Sequence, residues 1–299
     1  MKKLQESYDL GALGVITVAG AEAEEFLSAQ LTSDVSVVKS GRHQLTAWCN
    51  PQGRIRCLAR LFMWEGVFCL LLPRTQIEAT LKRLEMFVLR SAVKLADASN
   101  DLYSYGLSNL AVEPLVELSV PKPDHLSSSK NMVVIAIGGA LSVGTRFIVI
   151  TRKRLDKLSL SASYDDWRCL DIVSRLPSVV PQTMEMFLPQ MLDLEALGGL
   201  SFQKGCFPGQ EIIARLHYRG ELKRHMYVAT AVTNRLPEPG APLFASDENK
   251  ETVGNIVDAC WHEDGQAALL AVIKSENAKS ADIHLHSAGG PVVSLAKVH

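Results

Sequence analysis

The sequence predicts an α+β fold joined to a small β-barrel, and three observations lead there. Strand and helix signals alternate through the first two-thirds of the chain, hairpin-type turns separate many of the strands, and helical periodicity stops after about Glu221. At 299 residues the chain is too long for one small core, so two or three domains are expected. The division falls at residues 1–220 for a core of two ferredoxin-like α+β units, contiguous or not, and 221–299 for the barrel.

The elements follow in order. Val15-Ile16-Thr17-Val18 is a β-rich first strand within Leu13 to Val18, and Glu22 to Leu31 reads as a helix with Phe26, Leu27 and Leu31 on one side. His43 to Cys49 is a strand, and Asn50-Pro51-Gln52-Gly53 a turn. From Arg54 to Met63 the pattern alternates. Ile55, Cys57, Ala59, Leu61 and Met63 take a buried face, whereas Arg54, Arg56 and Arg60 take a face turned to solvent or an anion. A strand at Val67 to Leu72 and a helix from Arg74 to Arg90 come next, the latter with Ile77, Leu81, Leu84 and Val88 at helical spacing. Strands are expected at Ser91 to Ala96, Leu102 to Leu107, Asn131 to Ile137 and Leu141 to Ile150, with an exposed loop from Val120 to Lys130. The barrel strands are Met226 to Thr233, Thr252 to Ala259, Gln266 to Ile273, Ile283 to Leu285 and Pro291 to Leu295. Turns at Pro237 to Gly240 and Glu263 to Gly265 separate them.

Composition narrows the function classes. Lys plus Arg number 31 against 32 Asp plus Glu, a net charge of -1, which removes the electrostatic case for a general nucleic-acid coat or a polybasic membrane anchor. Lys2, Lys3 and the apolar run to Ala21 imitate a secretory signal, but Glu6, Asp9 and three glycines interrupt it, so a first core strand is preferred. Met132 to Gly144 is too short to span a membrane and carries a Gly138-Gly139 turn. A soluble, cytoplasmic monomer is expected. The six cysteines show no CxxC or zinc spacing, so they are read as acting singly or as buried apolar residues in a reducing compartment. No metal site is expected. His284 and His286 share a strand face without a visible third ligand, and a solvated face is the plainer account. Dinucleotide, P-loop, zinc-protease and nucleophile-elbow motifs are absent.

The informative stretch is Phe187 to Arg224. Leu197-Gly198-Gly199-Leu200 permits a sharp turn, Phe202 anchors the approach, and Lys204-Gly205-Cys206-Phe207-Pro208-Gly209-Gln210-Glu211 follows. A helix starting near Gln210 turns Ile212, Ile213 and Leu216 inward and Arg215 and Arg219 outward. Cys206 then lies just before a helix N-terminus and beside Lys204, and both influences favour the thiolate. A buried small residue in a tight loop is the competing reading. The run Arg215, His217, Arg219, Lys223, Arg224 and His225 is locally basic, either a solvated helix face or a site for carboxylate or phosphate.

Lys204 to Glu211 closely resembles the KGC[YF]xGQE signature of the YgfZ-type folate-binding proteins, relatives of the glycine-cleavage aminomethyltransferase GcvT. The match extends back through Pro189 to Gly199 and forward through the Arg-Gly and Lys-Arg steps, with weaker echoes at Gln30 to Val35 and Asn50 to Gly53. The resemblance implies a GcvT-like ring in which interleaved ferredoxin-like halves enclose a folate channel capped by the barrel. It implies tetrahydrofolate or a one-carbon folate derivative as cofactor, and Cys206 as the key functional residue. It further implies a role in making or maintaining iron–sulfur enzymes, including radical enzymes that modify tRNA, with tRNA itself an indirect partner. Of two tryptophans that hold folate in that family, one matches Trp167, where an exposed ring would stack on the pterin, and the other falls at Gly11. Arg215 and Arg219 are carried forward as candidate contacts for a folate carboxylate. A further departure is Ile172-Val173-Ser174-Arg175, where the family reads Ile-Glu-Ala-Gly.

The aminomethyltransferases carry an acidic pair after the Gly-rich hairpin, and those positions are Arg56 and Cys57 here. A guanidinium accepts neither a proton nor a hydrogen bond, which argues against the glycine-cleavage reaction. The basic face at Arg54 and Arg56 would instead receive a glutamate tail. The leading expectation is therefore a folate-binding, Cys206-dependent accessory protein, with turnover left open. The alternatives are a folate-dependent one-carbon transferase and, third, a protein that binds tRNA directly.

Overall fold

The computed structural model describes residues 7–108, 118–138, 143–156, 158–246, 252–262, 265–280 and 282–296. Lys2, Lys3, Glu6, Gly139, Leu141, Glu263 and Asp264, used in the sequence reading, lie outside these residues.

The described residues form two five-stranded antiparallel sheets and a closed six-stranded barrel. The first sheet has the order β3 (Gln44–Cys49), β4 (Ile55–Trp64), β5 (Val67–Pro73), β2 (Leu13–Ala19), β6 (Lys94–Asp97). The second has β1 (Ser7–Asp9), β7 (Tyr103–Ser108), β10 (Arg146–Thr151), β9 (Met132–Ile137), β8 (Leu126–Ser128). Because β1 leaves the N-terminal half to pair with β7, the two halves interleave as expected. The short strand β8 lies within the predicted loop from Val120 to Lys130, since the extended backbone there pairs with the edge of β9.

Helices α1 (Ala23–Gln30) and α2 (Ile77–Val88) cover one face of the first sheet, over a core of Ile16, Val18, Cys57, Ala59, Leu61 and Leu70. The other face carries Val15, Phe62, Trp64 and Leu71 and packs on Val133, Ile135, Ile148 and Ile150 of the second sheet. This corrects the polar face expected for β4. Leu58, Phe62 and Trp64 are buried there, so the strand is covered on both sides and only its arginines interrupt the apolar surface.

The barrel runs β11 (Arg224–Val232), β14 (Gln266–Lys274), β13 (Thr252–Trp261), β12 (Pro242–Ala245), β15 (Ile283–Leu285), β16 (Val292–Leu295). β12 was not foreseen, being four residues beside a proline. His284 is buried, its Nδ1 2.8 Å from the Gly290 carbonyl oxygen, whereas His286 is exposed beyond the end of β15. The shared solvated face is thereby corrected. No helix among the described residues is long and apolar enough to cross a membrane.

Helix α3 (Tyr164–Val173) joins the parts. Ser163 and Asp166 form a capping box at its start, satisfying backbone donors that a helix N-terminus otherwise leaves open. On its flank Arg168 forks onto Asp258 of β13, and Cys169 forms a disulfide with Cys260 of the same strand. The expectation that every cysteine acts singly is corrected by this pair. Its sequence separation of 91 offers no local spacing to read.

Candidate functional site

The segment from Phe187 to Ile213 wedges between the first sheet and the barrel. Phe187, Leu192, Leu194, Leu200, Phe207 and Ile213 share one core with Leu45, Ala47 and Ile55 on one side and Met226, Val257 and Leu270 on the other. Two stretches distant in sequence converge on it. Thr32 Oγ1 donates to the Gly199 carbonyl at 2.6 Å, and the Ser201 amide donates to the Thr32 carbonyl at 2.9 Å. The β3–β4 turn meets the other end. Gly209 (φ +81°) packs so closely on it that a Cβ there would fall 2.5 Å from Gly53 Cα and 2.6 Å from the Asn50 carbonyl oxygen. Gly53 is itself left-handed, at φ +75°.

Helix α4 (Gln210–Arg219) begins where predicted, with Gly209 as its N-cap. Ile213 is its sole buried residue, and the inward placement of Ile212 is corrected: it is 43% exposed. Arg215 and Arg219 are exposed. Cys206 is exposed as well, whereas Cys49, Cys57 and Cys69 are buried free thiols.

Lys204 does not reach outward with Cys206. Its Nζ donates to the carbonyls of Ser28 and Leu31, at 2.5 and 2.6 Å, at the C-terminal end of α1. A cation there satisfies carbonyls left without helical partners and opposes the negative end of the helix dipole. Burial lowers the Lys204 pKa to about 8, while the nearby Asp34 and Cys206 act in the opposite direction.

A cleft of about 370 Å³ opens between the sheets, lined in part by Arg42, His43, Gln44, Leu45, Arg60, Asp124 and Leu176. An inner recess of about 80 Å³ shares Leu45, Arg60, Ile137 and Leu176 with it and adds Tyr164, Trp167, Asp171 and Asp258. Arg60 can only donate, so its contact with His43 at 3.0 Å makes Nδ1 the acceptor and leaves Nε2–H to donate to the Ala136 carbonyl at 2.8 Å. Burial first, and Arg60 second, lower the His43 pKa to about 3 and keep the ring neutral. Burial also lowers the Arg60 pKa to about 10.

Behind the recess lining, Arg146, fully buried, binds Asp171 at 2.8 Å and lies over the Trp167 ring at 4.5 Å. Its Nε and Nη1 have no hydrogen-bond partner. Burial raises the Asp171 pKa, against the pull of Arg146. These groups offer cations for carboxylates, amide and carboxylate partners for a heterocycle edge, and apolar walls for a flat ring.

The predicted residues separate into two places. Trp167 borders the inner recess but is only 1% exposed. The expected free stacking face is corrected, because Arg146 covers the ring, Tyr8 meets it edge-on and Gly106 lies against its rim. Gly11 lies in the exposed β1–β2 turn, its amide donating to Asp9, and does not border the cleft. Cys206, Lys204, Arg215 and Arg219 do not border it either. Arg54 and Arg56 turn to the 185–186 segment, donating to the Met186 carbonyl at 2.6 Å and to Glu185 at 2.7 Å. Cys57 is buried under α2, and desolvation pushes its thiol up to about 12. His43, Arg146 and Asp171 were not singled out from sequence. Arg146 carried a signal, a lone charge inside an apolar strand run.

Interleaved sheets around a cleft, closed off by a barrel, define the aminomethyltransferase-like class of fold. The glycine cleavage system aminomethyltransferase T from Bartonella henselae superposes with a TM-score of 0.69 over 98% of this chain and 85% of its own, at 13% identity. No protein-family model matches the chain. Curated relatives do. The tRNA-modifying protein YgfZ of Escherichia coli (strain SMS-3-5 / SECEC) is 30% identical over 274 residues, covering 87% of this chain and 82% of the relative. That of Klebsiella pneumoniae (strain 342) is 29% identical over 270 residues with the same coverage. The chain belongs to the YgfZ family.

Proposed function

We propose that this protein is a cytoplasmic, folate-binding accessory factor for tRNA modification. It supports iron–sulfur enzymes of the radical type through Cys206 and works as a monomer. The observation that carries the reading is the placement of Cys206. It is the exposed thiol of the described chain, on a loop fixed at one end to α1 and the Thr32 segment and at the other to the Asn50–Gly53 turn. Curated relatives named tRNA-modifying protein YgfZ support the pathway.

The cleft fits tetrahydrofolate or a one-carbon derivative. Arg42 and Arg60 would receive the carboxylates, Gln44 and Asp124 the pterin edge, and Leu45, Ile137 and Leu176 the ring faces. Bound folate would supply one-carbon chemistry. The chain's own contribution is to desolvate the ring and hold His43 neutral as a fixed dipole beside it. A one-carbon transferase remains the weaker reading, since Arg56 and Cys57 stand at the acidic positions and face away from the cleft.

Complementation tests it. Cells lacking their own relative receive wild type or Cys206→Ala at matched levels, and the methylthiolated fraction of tRNA is read by mass spectrometry. Restoration by wild type alone is expected. Equal rescue by the variant would remove Cys206 from the function, and failure of wild type would overturn the accessory role.

A further inference from the structure

Helix α4 is held by one buried residue, Ile213, so most of its surface faces outward. On that surface Phe202 stacks on His217 at 4.0 Å, and Tyr218, 69% exposed, meets both rings edge-on at 5.9 and 4.7 Å. The cations nearby are unspent. Arg56, Arg146, Arg168 and Arg175 all have carboxylate partners. Arg215, Arg219, Lys223 and Arg224 form no ion pair among the described residues. From Gly220 the chain runs through Glu221 to Lys223 into β11, and at that junction Lys223 and Arg224 line a groove of about 480 Å³ at the barrel rim. Glu221 and Glu276 border the same groove, so the surface is a track of separated cations rather than a uniform patch.

We propose that this track, from Tyr218 and Arg215 on α4 to Lys223 and Arg224 at the barrel rim, binds a single-stranded RNA loop directly. Spaced guanidinium and ammonium groups suit successive phosphates, and an exposed tyrosine backed by two rings suits an unstacked base. Neither feature alone names RNA. The two together on one surface point to it, because a single-stranded loop presents phosphates and unstacked bases side by side. The exposed Cys206 sits on the loop that leads into α4, so the thiol and the helical part of the track belong to one segment, and none of the track residues borders the cleft. The inference deepens the tRNA-modification reading and rests on it for the source of the RNA.

The test is fluorescence anisotropy with a labelled tRNA anticodon stem-loop across a salt series, using the full-length protein. Wild type should bind with an affinity that falls as salt rises. Arg215→Ala/Arg219→Ala should lower the log–log salt slope by about 1.4, two phosphates' worth for a single strand. Tyr218→Ala should weaken binding by roughly tenfold with the slope kept. Arg215→Lys/Arg219→Lys should retain the slope, which separates charge from misfolding. Absence of wild-type binding, or an unchanged slope in the alanine pair, would overturn the proposal. If the alanine pair abolishes cellular rescue while RNA binding is intact, the surface docks a protein instead and the proposal fails. That result leaves the accessory role standing, whereas failure of wild-type rescue removes the role whatever the binding shows.

Discussion

Gly209 and Gly53 meet backbone to backbone, and this contact fixes the motif loop on the β3–β4 turn. Gly209→Ala should therefore cost about 2–4 kcal/mol, from a Cβ forced against main chain and from a left-handed φ of +81°. Gly205 belongs to the same motif, yet a Cβ there meets nothing within 4 Å. Gly205→Ala should be nearly neutral, within about 0.5 kcal/mol. Urea denaturation of the two variants checks the contrast, and equal effects would refute the packing account.

Lys204 acts as a C-terminal cap for α1. Lys204→Met should destabilise by about 1–2 kcal/mol, since two carbonyls lose charged donors at a half-buried site. Its folded pKa of about 8 lies below the ordinary 10.5, so the unfolded chain binds more protons between those values. Stability of the wild type should rise with pH across that window and lie flat below it, with the rise missing from Lys204→Met. A pH series of denaturation midpoints decides it.

His43 is neutral in the fold, with a pKa of about 3 against 6.5 unfolded. The unfolded state therefore takes up the proton first, and the stability linked to His43 is lost as pH falls from about 6.5 toward 3. Nitrogen NMR at pH 5 should show an uncharged ring protonated at Nε2. An imidazolium signal there would sink the assignment.

The thiols give a direct count. In the native protein under non-reducing conditions only Cys206 should react quickly with a thiol reagent, because Cys49, Cys57 and Cys69 are buried. Denaturation should release four thiols, and denaturation with reductant all six. Reduction of Cys169–Cys260 in the folded protein should lower stability by about 2–4 kcal/mol. Six reactive thiols without reductant would show that the pair does not form.

Much of this protein was legible without coordinates, for local reasons. Leu13–Ala19, Gln44–Cys49, Ile77–Val88 and Gln210–Arg219 follow from periodicity, turn residues and strand propensity, which act over a few residues. The Lys204 to Glu211 stretch was recognisable by its resemblance to a family signature, and of its two glycines the backbone demands Gly209, at φ +81°. Tertiary structure alone decided what those residues face. Lys204 turned to α1 because carbonyls at a helix end lay within reach, and Trp167 was enclosed because Arg146 and Tyr8, remote in sequence, closed on it. Cys169 met Cys260 across 91 residues, and His43 lost its charge to burial against Arg60. Sequence carries the period and the turn. Partner choice and desolvation depend on which distant segments pack together, and no local pattern records that.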